Sequence, residues 1–196
     1  RVPAETVASM AVVAHSVRAA TRARLGVNVL RNDGESALAI AAATGCDFIR
    51  VNVLSGAAAT DQGIIEGDAA TLMRARERLA ASGTRVQVWA DALVKHARTL
   101  SETDVELAVE ELAGRANADA VIVTGSTTGR AVEPARLDDA ARAARACARP
   151  LYLGSGTPPE SLGSFAAKLE TGSLWGAIVG SALRVGGKAG APLDRA

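Results

Sequence analysis

Two rhythms of apolar and polar residues alternate along the chain. Short runs rich in Val, Ile and Leu are typical of buried strands, and they are separated by longer segments in which apolar residues recur every three or four positions, as on one face of a helix. The runs predict strands at 25–30, 47–54, 85–91, 118–125, 150–154 and 176–180. The intervening segments predict helices at 4–21, 35–44, 68–82, 102–116, 134–148 and 159–170, with a long loop at 55–67.

Strands that alternate with helices are typical of parallel βαβ units, which form an open doubly wound sheet or a closed (β/α)8 barrel. No strand is followed by the GxGxxG turn of a dinucleotide-binding sheet. Polar residues also occur inside the strands: Arg50 and Asn52 share one face of their strand, Trp89 and Asp91 share a face of the next, and Asn28 lies mid-strand. A barrel interior can hold polar groups near its mouth, whereas both faces of a doubly wound sheet are dry. The pattern therefore favours the barrel.

Two consecutive strands end in similar Gly-Ser turns, within LGSGTPPE (153–160) and GAIVGSAL (176–183). Barrels often bind a phosphate group at the loops that follow strands seven and eight. Bare glycine backbone and unpaired N–H groups at helix N-termini suit an anion, although two tight turns without a ligand are the alternative. We predict a phosphate site formed by Gly154, Ser155, Gly156, Gly180 and Ser181.

The position of these turns also predicts which part of a barrel the chain contains. If they follow strands seven and eight, the run at 25–30 is strand three, and two β/α units are expected in front of it. The chain begins with Arg directly before a helix, and it ends in GGKAGAPLDRA, where the last helix of a barrel would begin. We expect a single domain over residues 1–196, which is a (β/α)8 TIM barrel of the phosphate-binding type that lacks its first two β/α units and its final helix.

A series of motifs resembles the BtpA/SgcQ family of predicted TIM-barrel enzymes. In chain order they are GVNVLRND (26–33), DFIRVNVLSGAAATDQGIIEG (47–67), VKHA (94–97), VIVTGSTTG (121–129), LGSGTPPE (153–160) and GAIVGSALRVGG (176–187). The resemblance implies a barrel whose N-terminal part normally supplies two further strands. The family is named after a role in photosystem I biogenesis in cyanobacteria, and other members accompany sugar-metabolism genes. The resemblance therefore implies the fold, and it leaves both a catalytic role and a biogenesis role open.

The predicted catalytic residues follow the strand at 85–91. Asp91, Lys95 and His96 lie at its carboxyl end, where barrels place catalytic residues. A lysine at the mouth can transfer a proton, form a Schiff base or bind phosphate, and histidine is the usual acid or base near neutral pH. A solvated surface loop is the alternative for the lysine and the histidine.

Other polar residues near the predicted mouth are assigned to substrate binding. They are Asn28, Arg50, Asn52, Asp61, Glu66 and Thr124. The first three either satisfy one another's hydrogen bonds or hold an anionic substrate. Asp61 and Glu66 lie in the predicted loop at 55–67, which is long enough to cover the mouth, but such carboxylates also occur at the starts of helices. Asp33 is predicted to cap the helix that follows it.

Charge and composition restrict the partners. The net charge is +1 and no run of like charge is present, which disfavours nucleic acid. The longest uncharged stretch, 171–183, is shorter than the roughly 20 residues that cross a bilayer. Without a secretory signal at residue 1, we expect a cytoplasmic protein that is not an integral membrane protein. The sequence predicts no cofactor, although Asp61, Glu66 and Asp91 could hold a divalent metal.

These observations predict an enzyme that acts on a small phosphorylated metabolite, a sugar phosphate or a nucleotide-like compound. Its class stays open among lyases, isomerases and glycosyl- or phosphate-handling enzymes. The alternative is a non-catalytic biogenesis or stability factor for a membrane complex such as photosystem I. The polar lumen favours the enzyme, because a scaffold gains nothing from polar groups inside its barrel. We also expect a homo-oligomer.

Overall fold

Strands and helices alternate along the part of the chain that the computed structural model describes, which is residues 1–60, 63–93, 97–99, 104–125, 132–154, 168, 172, 174–188 and 190–194. Within these residues the helices are α1 (Ala4–Ala20), α2 (Gly34–Thr44), α3 (Ala69–Ala81), α4 (Val105–Ala113) and α5 (Pro134–Ala146). The strands are β1 (Gly26–Val27), β2 (Phe48–Val51), β3 (Ala57–Thr60), β4 (Gly63–Glu66), β5 (Gln87–Ala92), β6 (Ala97–Thr99), β7 (Ala120–Thr124), β8 (Leu151–Gly154) and β9 (Gly176–Ile178). The helix predicted at 159–170 lies almost entirely outside the described residues.

Six parallel strands form the main sheet, in the order β1-β2-β5-β7-β8-β9. Each neighbouring pair is parallel, and the order of the strands in space is their order in the chain. In a doubly wound sheet the order reverses midway, and no reversal occurs among the described strands. The sheet is therefore the wall of a partial (β/α) barrel, which confirms the fold class predicted from the sequence.

The two faces of this sheet are covered differently. On the outer face, strand residues such as Ile49, Val88 and Val121 pack with helix residues such as Leu38 and Leu137 in one large core cluster. On the inner face a second, smaller cluster contains Trp89, Ala120 and Ile122, with Phe48, Tyr152 and Ile178 packed against it. Helices on one face and a separate cluster on the other are expected of a barrel wall, because the inner face looks toward the barrel axis.

Aromatic rings fill the inner face near the amino ends of the strands. Phe48 stacks on Trp89 with ring centroids 3.8 Å apart, and Trp89 stacks on Tyr152 at 4.3 Å. Strand β7 lies between the strands of Trp89 and Tyr152, and it places the small side chain of Ala120 in register with Trp89. Tyr152 can therefore reach across β7, and the three rings close off this end of the inner face.

Aspartate side chains cap two of the helices that follow strands. Asp33 precedes α2 and accepts hydrogen bonds from Ser36 N at 3.1 Å and Val2 N at 2.8 Å. Burial acts to raise the pKa of Asp33, but these bonds outweigh it and the pKa lies below its ordinary value. The prediction that Asp33 caps a helix is confirmed. Asp68 caps α3 in the same way, through Thr71 N at 3.1 Å.

The segment predicted as a loop at 55–67 contains a β-hairpin, so that prediction is wrong. Strand β3 pairs antiparallel with both β4 and β6, which gives a second sheet in the order β4-β3-β6. At the base of the hairpin Gly67 N donates to Gly56 O at 2.8 Å. The run of alanines in β3 has a low strand propensity, and its partner β6 comes from the loop after β5, so no local pattern indicated the pairing.

Aspartates at the amino ends of two strands brace the strands beside them. Asp119, just before β7, accepts hydrogen bonds from Val88 N and from the Arg76 guanidinium, both at 2.8 Å. Asp47, just before β2, accepts one from Leu25 N at 2.8 Å and pairs with an arginine of α1. The same contact thus recurs at two places on the end of the sheet opposite the helix caps.

Candidate active site

A cluster of polar side chains occupies the inner face beyond the aromatic layer, toward the carboxyl ends of the strands. Alternation along β2 puts Arg50 on the face of Phe48, and alternation along β5 puts Asp91 on the face of Trp89. Carboxyl ends of parallel strands are where barrels build their active sites. The cluster therefore lies where the fold places chemistry.

Arg50 and Asp91 form a two-point ion pair across β2 and β5. Arg50 Nε donates to Asp91 Oδ1 and Arg50 Nη2 donates to Asp91 Oδ2, each at 2.9 Å. The Asp91 side chain is 2% exposed and that of Arg50 is 21% exposed. Such parallel bonds between guanidinium and carboxylate fix both groups in one geometry.

Two asparagines extend this pair to β1. Asn52 Nδ2 donates to Asp91 Oδ2 at 2.8 Å. Asn28 Nδ2 donates to Asn52 Oδ1 at 3.2 Å and to Arg50 O at 2.9 Å. The sequence left two alternatives for Arg50, Asn52 and Asn28: hydrogen bonds to one another, or the binding of an anionic substrate. The contacts favour the first alternative, because the guanidinium of Arg50 is neutralised by Asp91 and aligned on it.

Thr124, at the end of β7, is fully buried. Its hydroxyl oxygen has no hydrogen-bond partner in the described part of the chain. Ile122 belongs to the inner-face cluster and Val123 to the outer core, so alternation puts Thr124 on the inner face. A buried hydroxyl without a partner is uncommon in folded proteins, and it marks this strand end as a place where a further group could bind.

The two glycines of the predicted phosphate site differ in their surroundings. A Cβ at Gly154 would lie 2.7 Å from Ile122 Cγ2 and 2.8 Å from Thr124 Cγ2, so packing alone requires glycine there. A Cβ at Gly180 would meet nothing within 4 Å, and its φ of −132° is open to any residue. Gly180 therefore has no structural reason to be glycine among the described residues, and Gly154 has one.

Ser181 begins a single 3₁₀ turn, Ser181–Leu183. In this turn Leu183 N donates to Gly180 O at 3.2 Å and Arg184 N donates to Ser181 O at 3.0 Å. The predicted phosphate site relied on unpaired N–H groups at the N-termini of helices. A turn as short as this one has fewer aligned N–H groups than an α-helix.

Five of the predicted site residues lie outside the described residues. They are Asp61, Lys95, His96, Ser155 and Gly156. The chain that leads from β5 toward Lys95 and His96 passes through Leu93, whose φ of +58° is in the left-handed region. That conformation is unfavourable for leucine, and such strain is found most often at functional sites.

Glu66 lies apart from the Asp91 network. It belongs to β4 and lines a polar cavity of about 180 Å³ together with Asp33, Asp68 and Val51. Val51 belongs to the outer core, so this cavity is on the helix side of the sheet. The helix cap in this region is Asp68 and not Glu66. Within the described residues, no three His, Cys, Asp or Glu side chains are grouped closely enough to hold a metal ion.

Asn32 is a structural residue beside this cavity that the sequence analysis missed. Its side chain accepts from Val53 N and donates to Val53 O, each at 2.7 Å, so it fastens the loop after β1 to the end of β2. Its φ of +71° is in the left-handed region, which asparagine tolerates better than most residues. The available signal was the second asparagine of the motif GVNVLRND, in which the sequence analysis considered only Asn28.

None of the helices in the described residues combines the length and the apolar character that crossing a bilayer requires.

Comparison with solved structures agrees with the barrel architecture. Phosphoribosyl anthranilate isomerase from Thermus thermophilus superimposes with a TM-score of 0.55 and 16% sequence identity, over 87% of this chain and 68% of that one. The enzyme of the same name from Thermococcus kodakaraensis gives a TM-score of 0.53 at 16% identity, over 93% and 74% of the two chains. At this identity the likeness concerns the fold alone.

Comparison of sequences identifies closer relatives. Photosystem I biogenesis protein BtpA from Synechocystis is 39% identical over 99% of this chain and 64% of its own length. An uncharacterised protein of Thermococcus kodakarensis is 49% identical over 80% of this chain and 57% of its own length. This chain thus spans less than two thirds of both relatives. The sequence model of the BtpA family matches residues 1–196, and the chain therefore belongs to the BtpA family.

Proposed function

We propose that this chain forms part of a barrel enzyme that acts on a small phosphorylated metabolite, a sugar phosphate or a nucleotide-like compound. The observation that carries the proposal is the buried polar network of Arg50, Asp91 and Asn52 at the carboxyl ends of the strands. Barrel interiors are usually filled by branched apolar side chains, and buried charges cost stability unless they are paired. The network is internally paired, and its place at this end of the barrel supports a role in holding catalytic groups in position.

The phosphate group is assigned to the turns after β8 and β9. These strands are neighbours, with Gly154 and Ile178 in register, so the turns that follow them start side by side. The open space at Gly180 supports a site where backbone can approach an anion. The barrels of similar fold are named for a phosphoribosyl compound, which is compatible with this assignment, although the argument depends on the strand ends.

Asp91, Lys95 and His96 are the proposed catalytic residues. Asp91 is held by Arg50 and Asn52 at the end of β5, and the sequence places Lys95 and His96 on the loop that follows. We assign proton transfer to Lys95 and His96 and the anchoring of this loop to Asp91. Lys95→Ala should abolish turnover without loss of the fold.

Calorimetric titration and thermal melting with phosphorylated metabolites test the proposal. Inorganic phosphate and sugar phosphates should bind the parent chain, and Gly180→Asp should weaken that binding because it adds a carboxylate next to the anion. Gly180→Ala is the matched control for folding, since its methyl group meets open space. If no phosphorylated compound binds the parent, or if Gly180→Asp binds them equally well, the phosphate assignment is wrong.

A biogenesis role is the second candidate, favoured by the name of the Synechocystis relative. Helix α1 exposes Val12, Val13 and Val17 beside an apolar groove of about 370 Å³ between α1 and β1, as a docking surface would require. In a cell that depends on the protein, a biogenesis role predicts that Val13→Asp removes function and Lys95→Ala does not. The enzyme proposal predicts the reverse.

A further inference from the structure

We infer that the part of the substrate next to the phosphate is an uncharged group that carries hydroxyls, and that Thr124 binds one of them. The inference rests on the proposed function, because it concerns the same site. It narrows the substrate to phosphorylated polyols and sugars, and it disfavours substrates with a second anionic group at this position.

Arg50 is already engaged by a buried carboxylate. Between the aromatic layer and the strand ends, the charged residues described on the inner face are Arg50 and Asp91, and they neutralise each other through two bonds of 2.9 Å. If a substrate anion drew the guanidinium away, the carboxylate of Asp91 would lose both of its bonds to Arg50 while only 2% exposed. Removing one partner of a buried ion pair is strongly unfavourable, because the other charge stays buried without compensation. The Arg50 guanidinium is therefore poorly suited to bind a second anion.

Thr124 places a hydroxyl group at the end of β7. It is fully buried and has no hydrogen-bond partner within the described residues. A native protein rarely leaves such a group without a partner, and a ligand hydroxyl can be both donor and acceptor to it. The amides of Asn28 and Asn52 and the carboxylate of Asp91 lie on the same face of the sheet.

Thr124 lies beside the strand that leads to the proposed phosphate site. Thr124 is in register with Gly154 on the neighbouring strand, and adjacent strands lie about 5 Å apart. A ligand whose phosphate lies at the ends of β8 and β9 would place the next one or two carbon atoms near Thr124. A hydroxyl close to the phosphate ester is therefore the group that this residue would bind.

A matched pair of ligands tests the inference by calorimetry. Glycerol 3-phosphate and n-propyl phosphate share charge and carbon skeleton and differ by two hydroxyls, and inorganic phosphate serves as the third probe. The parent chain should bind glycerol 3-phosphate at least about tenfold more tightly than n-propyl phosphate, as expected when a buried polar group would otherwise stay unpaired. Thr124→Val should bring this ratio close to one without weakening the binding of inorganic phosphate. Thr124→Ser should preserve the ratio.

Thr44→Val is the control. Thr44 is also a buried threonine, but it lies on a helix of the outer face and its hydroxyl donates to Ile40 O at 2.8 Å. It should leave all three affinities unchanged. Thermal melting gives an independent readout: Thr124→Val should melt at the same or a higher temperature than the parent, because it removes a buried hydroxyl without a partner. Thr44→Val should melt at a lower temperature.

The outcomes separate the two proposals. If inorganic phosphate binds but the parent does not distinguish glycerol 3-phosphate from n-propyl phosphate, or if Thr124→Val keeps the ratio, this inference is wrong and the phosphate site stands. A lowered melting temperature for Thr124→Val would also overturn it, since the hydroxyl would then have a partner in the protein. If none of the three phosphates binds, the proposed function itself fails.

Discussion

Single aspartates at the amino ends of strands hold neighbouring strands in place. Asp119 satisfies the N–H group of Val88, a residue that is 0% exposed, and also binds Arg76 of α3. A buried N–H group that loses its acceptor costs more than the bond itself contributes, because its removal from water is then uncompensated. The contribution of this carboxylate is therefore larger than that of an ordinary surface ion pair.

Asp119→Ala should lower the free energy of unfolding by about 1 to 3 kcal/mol. Urea denaturation measures this change, and Asp119→Asn should lose less because its amide oxygen can still accept from Val88 N. The control is Asp139→Ala, which removes an exposed pair with Arg142 and should change stability by no more than about 0.5 kcal/mol. Equal effects of Asp119→Ala and Asp139→Ala would show that Val88 N has another acceptor.

Tyr152 gives the molecule a pH dependence that can be observed directly. Burial raises the pKa of Tyr152 above its ordinary value of 10.0, and the positive charge of Arg24 opposes this only in part. The unfolded chain should therefore lose the phenol proton first, so the free energy of unfolding falls as the pH rises from about 10 through the folded-state pKa. Below that range the contribution of Tyr152 is fully present.

The chain contains one tyrosine, so ultraviolet absorbance of the tyrosinate follows this group alone. We expect a higher titration midpoint in the folded protein than in urea. Tyr152→Phe should reduce the loss of stability at alkaline pH, measured by denaturation across the same range. Coincident midpoints in the two states would contradict the burial of the phenol.

Alternation along the strands was sufficient to predict that Arg50, Asn52 and Asp91 share the inner face. Their pairing was not predictable, because it depends on the register between β2 and β5, which places Arg50 opposite Trp89 and leaves Asp91 on the diagonal. The significance of Gly154 was also hidden, since its close contacts are with Ile122 and Thr124 of another strand. A sequence shows which side chains share a face, but not which of them meet across strands.

The hairpin of β3 and β4 is the element that sequence patterns missed, and its base is tightly packed. A Cβ at Gly67 would lie 2.6 Å from the backbone of Leu54 and Ser55. The sheet β4-β3-β6 joins the loop after β2 to the loop after β5. A change at the base of the hairpin should therefore affect both loops.

Gly67→Ala should lower the free energy of unfolding by about 1 to 3 kcal/mol, because the backbone must shift to admit the methyl group. Gly180→Ala is the matched substitution at a glycine with open space around it, and it should change stability by no more than about 0.5 kcal/mol. Urea denaturation of the two variants beside the parent tests the difference. If both variants match the parent, the hairpin base is looser than described.

At the scale of the whole molecule, the sheet has a protected centre and two edges. All five residues of β7 are buried, and β7 lies between β5 and β8. Strands β1 and β9 each have one neighbour in the described sheet, and β9 is only half-buried. Protection against local opening should fall from the centre to the edges.

Hydrogen exchange followed by mass spectrometry tests this gradient. Amides of Val121, Ile122 and Val123 should exchange at least about tenfold more slowly than those of Ala177 and Ile178. The comparison needs no variant, because the edge strand serves as the control for the centre. If β9 is as protected as β7, another polypeptide covers that edge in solution.

The stacked rings of the inner face also affect the tryptophan fluorescence of the protein. The chain has two tryptophans: Trp89 is 8% exposed between Phe48 and Tyr152, whereas Trp175, just before β9, is 64% exposed. A soluble quencher such as iodide should reach Trp175 and leave Trp89 emitting. The residual fluorescence then comes from the layer directly beneath the Arg50–Asp91 pair, and it provides a label-free signal for a ligand that enters the barrel.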